Sequence, residues 1–561
     1  MLGSVNAGRD NFVLRRLFNL LSVNNYSVLV ALASFFLLIF GLWDQEFVGF
    51  EARFGLFANE MYRNGLSFFP TTYGEPYPDY PATSTVMIYL FSLLMGGVNK
   101  LSAVLPTAIA STAVVTLTYL LLASYSRRWA IMSVFIALLT QNFLKEARSI
   151  SIDQWVSLCT VGVVYLAYQK SAELPRTLQL QIIGILMFGY LVRGPFGVVI
   201  PTGVIFVYYL SFARYKNMLI IGVMGMLVLL IGWAVLLGLA YWEGGETFVQ
   251  RVIDMQFLSR LDREETRNSA YYFTTCVANY ALAYPMALMV LMLLPWCYKN
   301  LDVQERTLLR IFSLWIAVVI IGMSIPATKK ARYILPIVPA ISALAAYPFV
   351  VLSNSIMANL GRLFRIIFLV WPALLLALVI YGQKMVAMKH YQVNIPFTTV
   401  YIILFLVASL SLLVYLYKRH QQNSDYYIAG FALLATWIVN LAVIEPVVLQ
   451  TQGSREFVEE TEKYRQQLNA EVVFFKVSLD AAPISYLVNV DQAMRIDVMQ
   501  NIQEISQIKK PTLLLIGDDD LVKEEAVLTK LAPPLVQGRF NNAIWHTYLL
   551  AGRQEVAYKD P

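Results

Sequence analysis

Charged residues and cysteines are scarce in this chain of 561 residues. Asp, Glu, Lys and Arg together make up 14% of it, whereas 58% is hydrophobic and the mean hydropathy is +0.59. This balance excludes an ordinary soluble domain and indicates a membrane protein. The three cysteines, Cys159, Cys276 and Cys297, lie at scattered spacing in apolar segments, so neither a disulfide framework nor a thiolate metal site is expected.

Three further patterns are missing from the sequence. No glycine-rich phosphate loop occurs, so nothing indicates a soluble nucleotide-sugar site. The alternating pattern of a membrane β-barrel is absent as well, which leaves helices as the spanning elements. No small-residue cleavage site follows the first apolar block, which begins near Tyr26, so we interpret this block as a retained span.

Long apolar blocks predict a polytopic α-helical membrane protein with about thirteen transmembrane helices. A hydrocarbon core roughly 30 Å thick needs about 20 apolar helical residues per crossing. The predicted spans are 27–43, 103–124, 129–143, 152–169, 178–192, 196–212, 217–242, 271–297, 309–325, 333–352, 364–383, 397–417 and 426–446. The apolar stretch 83–97 is too close to the second span for a conventional reversal, so it is expected to lie against the membrane surface or dip into it.

Basic residues in the connections predict which side of the membrane each connection faces. With the N-terminus in the cytoplasm, the short basic connections all fall on that side. They contain Arg127 and Arg128, Lys170 and Arg176, Arg214 and Lys216, Lys299 and Arg306, Arg362 and Arg365, and Lys418 and Arg419. The outer loops are then 44–102 and 243–270, and the chain after residue 447 is also outside.

The sequence therefore predicts two domains, a transmembrane domain over residues 1–447 and a small extracytoplasmic α/β domain over residues 448–561. "AEVVFFKV" (470–477) and "KPTLLLIGDDD" (510–520) have the composition of buried strands. In the first outer loop, the apolar residues from Phe50 to Met61 follow helical spacing and predict an interfacial helix. A solvated amphipathic loop is the alternative interpretation of that segment.

Several cations occur on the outer side, where the positive-inside trend does not favour them. They are Lys329, Lys330 and Arg332 in "TKKARYILP" (328–336), Arg193 in "LVRGPFG" (191–197), and Arg251, Arg260, Arg263 and Arg267 in the second outer loop. Ionisable groups near membrane depth are costly and are usually retained for a partner. An anionic phosphate headgroup fits these cations, and snorkelling to ordinary lipid phosphates is the alternative.

Four acids are predicted on the same outer side: Glu51, Asp79, Asp153 and Asp254. A cleft that binds a phosphate and also activates a hydroxyl needs this mixture of cations and a carboxylate base. Each acid considered alone could instead be a structural ion-pair partner. Together they predict the mouth of one cavity.

Six segments in this order resemble the GT-C superfamily of polyprenyl-phosphate-sugar glycosyltransferases, in particular the lipid A aminoarabinose transferase and protein O-mannosyltransferase group. They are "FEARFGLFANEM" (50–61), "GEPYPDYP" (74–81), "SAVLPTAIAS" (102–111), "ARSISIDQW" (147–155), "LVRGPFGVVIP" (191–201) and "ARYILPIVPAISAL" (331–344). The resemblance covers most of residues 27–350. It implies a GT-C-like membrane domain in the bacterial inner membrane, with the C-terminal domain in the periplasm.

The sequence also departs from the family at positions that carry chemistry. Phe50 stands where the family has its leading acid, so only Glu51 remains of that pair. The Glu-Lys of the second family motif is replaced by Asp79 and Tyr80. In the second outer loop "IDMQ" offers Asp254 without the histidine that can help to hold a metal, so a divalent metal is possible but only weakly indicated.

The resemblance implies transfer of a sugar from a polyprenyl phosphate to a lipid, glycan or protein acceptor, with no nucleic-acid partner. It implies a carboxylate base, for which we favour Glu51, with Asp44 or Glu46 as alternatives, and Asp79 or Asp153 position the acceptor. Glu51 and Asp79 are expected to share one cleft. The implied phosphate ligands are Arg193, Arg260, Lys329, Lys330, Arg332 and Tyr333, and further residues of the cleft are Arg53, Tyr80 and Asp254. The alternative functions are a lipid-linked-sugar flippase and a non-catalytic polyprenyl-phosphate-binding subunit.

The predicted topology is tested by reporters fused to the C-terminus. Because thirteen spans and a cytoplasmic N-terminus place the tail outside, a C-terminal alkaline phosphatase fusion should be active. A reporter that works only in the cytoplasm should be silent at the same position. Activity of that cytoplasmic reporter would contradict both the number of spans and the assignment of the basic connections.

Overall fold

The computed structural model describes residues 26–170, 172–258, 270–298, 301–351, 354–388, 393–419, 421, 423–490, 493–528 and 533–550. The helical architecture predicted for the membrane part is confirmed. Its helices are α1 (Tyr26–Ile39), α2 (Glu51–Asn64), α3 (Thr83–Met95), α4 (Lys100–Ala123), α5 (Arg127–Leu139), α6 (Gln141–Ala147), α7 (Asp153–Gln169), α8 (Arg176–Arg193), α9 (Phe196–Ser211), α10 (Tyr215–Ile253), α11 (Tyr271–Asn279), α12 (Ala283–Cys297), α13 (Val303–Ser324), α14 (Val338–Ala346), α15 (Ser355–Met388), α16 (Phe397–Lys418), α17 (Ser424–Val439) and α18 (Glu445–Gln452).

Seven helical stretches in the described part of the chain are long and apolar enough to cross a membrane, or eight if the bent pair α5–α6 is one span. Shorter apolar helices, including α1, α9 and α12, coincide with other predicted spans. Helix α3 occupies the apolar stretch 83–97 and exposes Leu90, Leu93 and Leu94. The thirteen crossings and their orientation stay a prediction.

The structure differs from three predicted segments in where their helices break or end. The span at 129–143 is divided between α5 and α6, which meet at an angle of 73° after Thr140. The span at 271–297 is interrupted between α11 and α12, and α11, with 9 residues, is too short to cross a bilayer. The second outer loop begins as helix, because α10 continues to Ile253 beyond a kink at Gly244 and Gly245.

Helices α8 and α9 form a tight hairpin that places Arg193 at its turn. A Cβ on Gly189 would lie 2.2 Å from the carbonyl oxygen of Gly197, and a Cβ on Gly197 would lie 1.9 Å from that of Gly189. Gly194 between them has φ +57°, which favours glycine. The two helices approach this closely only because neither contact position carries a side chain.

The C-terminal α/β fold is confirmed, with a five-stranded sheet ordered β4-β3-β5-β7-β6. The first outer loop contains a small antiparallel pair, β1 (Thr71–Thr72) and β2 (Glu75–Pro76). The C-terminal elements are α19 (Arg455–Leu468), β3 (Glu471–Phe475), α20 (Ala482–Leu487), β4 (Asp497–Met499), β5 (Thr512–Gly517), α21 (Asp518–Leu528), β6 (Val536–Phe540) and β7 (Ala543–Leu550). Strand β3 is parallel to β4 and β5, whereas β7 is antiparallel to β5 and β6.

The first outer loop and the C-terminal sheet share one hydrophobic core. Leu56 of α2 and Phe474 of β3, both buried, belong to the same cluster of apolar side chains. At Gly55 a Cβ would lie 2.8 Å from Val488 Cγ2, so α2 is in direct contact with the segment after α20. The α/β domain therefore packs against the loop that contains the predicted base.

The glycine contact between α8 and α9 is tested by adding a methyl group. Gly197→Ala should separate the two helices and lower the free energy of unfolding by about 1–3 kcal/mol, the usual cost of overpacking. Gly184→Ala in α8 is the matched control, because no atom lies within 4 Å of its added Cβ. Thermal unfolding in detergent measures both variants. An equal shift in the two midpoints would contradict the assigned contact.

Candidate active site

A cavity of about 800 Å³, here called the central cavity, lies between the outer loops of the membrane domain and the α/β domain. Seven of the residues singled out in the sequence line it: Arg53, Asp79, Asp153, Arg193, Lys330, Arg332 and Tyr333. They come from the first outer loop, the start of α7, the end of α8 and the helical turn Ala331–Ile337. The fold therefore gathers residues that are up to 280 positions apart in the numbering of the chain.

Asp153 is bracketed by two arginines at the wall of this cavity. Arg193 Nε donates to Asp153 Oδ1 at 2.9 Å, and Arg332 Nε lies 3.3 Å from Asp153 Oδ2. The carboxylate is 5% exposed, as is expected of a buried charge that is fully paired. Asp153 thus pairs with two cations of the cavity wall through both of its carboxylate oxygens.

Each of the two arginines also contacts an aromatic ring. The Arg332 guanidinium lies 4.3 Å from the centroid of the Phe50 ring, and the Arg193 guanidinium lies 5.4 Å from that of Tyr333. The Tyr333 ring stacks on the Phe196 ring, with the two ring centroids 5.7 Å apart. Phe50, which replaces the acid of the GT-C pattern, is therefore in a cation–π contact with one of the cavity cations.

Asp79 differs from Asp153 because no ion pair engages it among the described residues. Its Oδ1 accepts hydrogen bonds from Gln256 Nε2 at 3.1 Å and from its neighbour's backbone N–H at 2.8 Å. Its side chain is partly exposed, and Asp79 and Asp153 both line the central cavity. A carboxylate in this state can accept a proton from a bound hydroxyl.

Lys329 and Lys330 have different environments although they are adjacent. Lys330 is exposed and lines the central cavity. Lys329 is buried, and its Nζ donates to the carbonyl oxygen of Pro326 at 2.8 Å. Tyr80 is also buried and packs on Gly194, where a Cβ would lie 2.0 Å from Tyr80 Cε1. These contacts give Lys329 and Tyr80 supporting positions behind the cavity wall.

Glu51 lines a second cavity, whereas Asp79 lines the central cavity, and the cleft predicted to contain both acids stays a prediction. This apolar cavity of about 450 Å³ is lined by Glu51, Lys100 and residues of α5, α6, α15, α17 and α18. The Glu51 carboxylate forms a short ion pair with Lys100, and it accepts the Ile150 N–H at 3.0 Å. Neighbouring side chains on a helix point about 100° apart, so Glu51 and Phe50 point in different directions. Phe50 lines both cavities, whereas Glu51 lines only the apolar one.

Asp254 and Arg260 complete the set of sequence-predicted residues. Asp254 directly follows α10 and does not line the central cavity. Its neighbours Met255 and Gln256 do line that cavity. Arg260 lies outside the described residues. In the part of the chain that the structure describes, no group of three or more His, Cys, Asp or Glu side chains could hold a metal. Both Asp153 oxygens face arginines, so the residues of this cavity do not fit a divalent metal.

The roof of the central cavity comes from the α/β domain and was not predicted. It includes Asp480, Ser485, Asn541, Asn542 and Trp545. Asn541 and Asn542 form the β6–β7 turn with φ values of 50° and 71°, a left-handed conformation that asparagine tolerates. The dipeptide predicts a hairpin turn, but the sequence carries no signal that this turn faces the membrane domain.

The phenol of Tyr77 borders this region on the outer side. The Arg53 guanidinium lies 5.4 Å from its ring centroid, and Arg53 also donates to the carbonyl oxygen of Asp480 at 3.1 Å. Burial raises the pKa of Tyr77 to about 12, and the nearby Arg53 charge opposes this shift. Tyr77 is therefore a neutral phenol at physiological pH, and its buried hydroxyl has no hydrogen-bond partner among the described residues.

A scan of protein-family models and a search of curated proteins found no match to this sequence. Among solved structures, ArnT from Cupriavidus metallidurans bound to undecaprenyl phosphate matches with a TM-score of 0.67 and 13% identity, over 94% of this chain and 99% of that chain. ArnT in the apo state matches with a TM-score of 0.68 and 13% identity, over 95% and 100% of the two chains. The backbone agreement extends over nearly the whole of both chains, and this chain therefore has the GT-C fold.

Proposed function

We propose that this protein is an integral-membrane glycosyltransferase that moves a sugar from a polyprenyl-phosphate carrier to an acceptor hydroxyl on the outer face of the membrane. The GT-C fold and the crystal of ArnT with undecaprenyl phosphate support the donor class. The observation that carries the proposal is the central cavity, where four cations, Arg53, Arg193, Lys330 and Arg332, line a space that also contains Asp79, a carboxylate with no ion pair among the described residues. In this proposal residues 1–447 form the transferase domain in a bacterial inner membrane, and residues 448–561 form a periplasmic domain.

The proposed reaction is a displacement at the anomeric carbon. The acceptor oxygen forms a bond to that carbon while the bond from the carbon to the phosphate oxygen breaks. Polyprenyl phosphate leaves with the bonding electron pair, and its added negative charge is stabilised by Lys330, Arg193 and Arg332, with Tyr333 beside them. The acceptor proton passes to a carboxylate of the protein.

Asp79 is the carboxylate that best suits the role of base. Its Oδ2 accepts no hydrogen bond from the described residues, whereas Asp153 is paired twice and Glu51 is paired with Lys100. Asp153 then acts as a positioning residue for the two arginines. Glu51, the base favoured from the family resemblance, would instead stabilise the loop by pairing with Lys100 at the edge of the apolar cavity.

Conservative amide variants separate Asp79 from Glu51. Asp79→Asn should lower transfer of labelled sugar by about 10²-fold or more, because it removes general-base assistance worth about 10²–10⁴ in rate. Binding of polyprenyl phosphate should persist in this variant. Glu51→Gln is the matched control and should retain more activity. The reverse order of the two variants would return the role of base to Glu51.

The donor phosphate is tested by charge reversal at Lys330, which is exposed in the cavity. Lys330→Glu should weaken binding of radiolabelled polyprenyl phosphate, because a charge-assisted hydrogen bond becomes a repulsion. Arg214→Glu is the control, since Arg214 is exposed, pairs with Glu173 at 3.5 Å and is not among the residues that line the central cavity. Equal weakening in both variants would make Lys330 a general lipid anchor.

The overall activity is tested with purified protein, radiolabelled polyprenyl-phosphate sugars and a bacterial envelope fraction. Transfer of label from the lipid carrier to an acceptor is the expected result. Tight donor binding without any transfer would overturn the proposed enzyme in favour of a non-catalytic binding subunit. Movement of the labelled lipid across a vesicle membrane without transfer would favour a flippase.

A further inference from the structure

A third cavity, here called the outer groove, lies between the first outer loop and the α/β domain. Its volume is about 850 Å³, within the range of about 300–1,000 Å³ that is typical of ligand sites. One wall is formed by residues 56–78, with Arg251 and Met255 at its end. The other wall is formed by residues 478–480, Leu487 and residues 493–497 of the α/β domain.

The outer groove continues into the central cavity. Met255 and Asp480 line both spaces, so they mark the junction between them. The apolar cavity meets the central cavity elsewhere, at Gly49, Phe50 and Gln452. The central cavity therefore has a hydrophilic neighbour on one side and an apolar neighbour on the other.

The lining of the outer groove includes seven charged side chains and two aromatic rings. Its charged residues are nearly balanced: Glu60, Arg63, Glu75, Arg251, Asp480, Arg495 and Asp497. Tyr73 and Tyr77 supply the rings, and burial raises the pKa of the Tyr73 phenol well above its usual range. Carboxylates, guanidiniums and aromatic faces together suit a neutral, hydroxyl-rich ligand better than a strongly charged one.

Hydrogen bonds across the groove hold its two walls in register. Arg63 donates to the carbonyl oxygen of Val490 at 2.9 Å, and the Tyr73 hydroxyl donates to that of Leu479 at 2.9 Å. Both donors belong to the outer loop, and both acceptors are backbone atoms of the α/β domain. The groove is thus a built feature, and its shape is set before a ligand enters.

We propose that the outer groove binds the extended part of a glycan acceptor, whose terminal hydroxyl reaches Asp79 through the junction at Met255 and Asp480. This inference rests on the proposed transferase function. A lipid acceptor would require a continuous apolar wall for its chains, whereas the apolar side chains of this groove are interrupted by seven charged residues. A peptide acceptor would be expected to extend a sheet edge, but the edge strand beside the groove, β4, has only three residues.

The route of the acceptor is tested by blocking the groove chemically. The three native cysteines that the structure describes are buried, so an introduced cysteine can be labelled selectively. Ser478→Cys places a thiol on an exposed groove residue. Attachment of a bulky hydrophilic maleimide there should prevent transfer to a glycan and leave polyprenyl-phosphate binding unchanged. The same label on Lys523→Cys, an exposed position of α21 outside these cavities, should have no effect.

Recognition within the groove is tested without a bulky label. Arg495→Ala should raise the KM for the glycan acceptor about tenfold at unchanged kcat, the effect of losing one hydrogen bond from a charged group. Arg495 pairs with Asp497 at 3.2 Å on the surface of the α/β domain. Lys510→Ala is the matched control, because Lys510 forms a similar exposed pair with Glu471 at 2.6 Å.

The chemical class of the labelled product decides the proposal. Label in a water-soluble product that resists protease, together with the loss of transfer in the blocked variant, supports a glycan acceptor. Label that is extracted with lipids or released by protease overturns the glycan assignment and leaves the transferase function intact. Undiminished transfer by the blocked variant overturns the route. Absence of transfer to every fraction contradicts the transferase function itself, which distinguishes the two failures.

Discussion

The geometry of the site depends on a single buried carboxylate. Asp153 at the start of α7 forms ion pairs with Arg193 at the end of α8 and with Arg332 in the turn that precedes α14. Removing one partner of a buried pair typically costs about 3–5 kcal/mol, because the remaining charge is left unpaired. Three separate elements are therefore constrained to meet at one point, and the cations of the central cavity keep fixed directions.

The three adjoining cavities differ in polarity, and the central one is the most polar. The outer groove mixes charged and apolar side chains, the central cavity combines cations with Asp79, and the third cavity has apolar side chains of α15, α17 and α18 beside charged residues such as Glu51 and Lys100. Phe50 stands at the boundary between the last two and covers Arg332. The Phe50 ring lines both of these spaces.

The sequence was sufficient for the elements but not for the contacts between them. Hydropathy predicted most helices, and buried-strand composition located β3 and β5, because both signals are local. The break between α11 and α12 gave no such signal, since the apolar pattern continues through it. The pair of Glu51 and Lys100 and the hydrogen bond from Gln256 to Asp79 join residues 49 and 177 positions apart, so the choice of base could not be derived from spacing.

The core shared by α2 and the α/β domain has a consequence for biosynthesis. Arg53 and the carbonyl oxygen that it contacts are separated by 427 residues. At a translation rate of roughly 5–20 residues per second, the first outer loop waits about 20 to 85 s for its packing partner. During that interval the loop lacks most of the hydrophobic core that it shares with the α/β domain, and the cations around it lack their roof. A nascent chain that has not yet reached Trp545 therefore cannot form the complete central cavity.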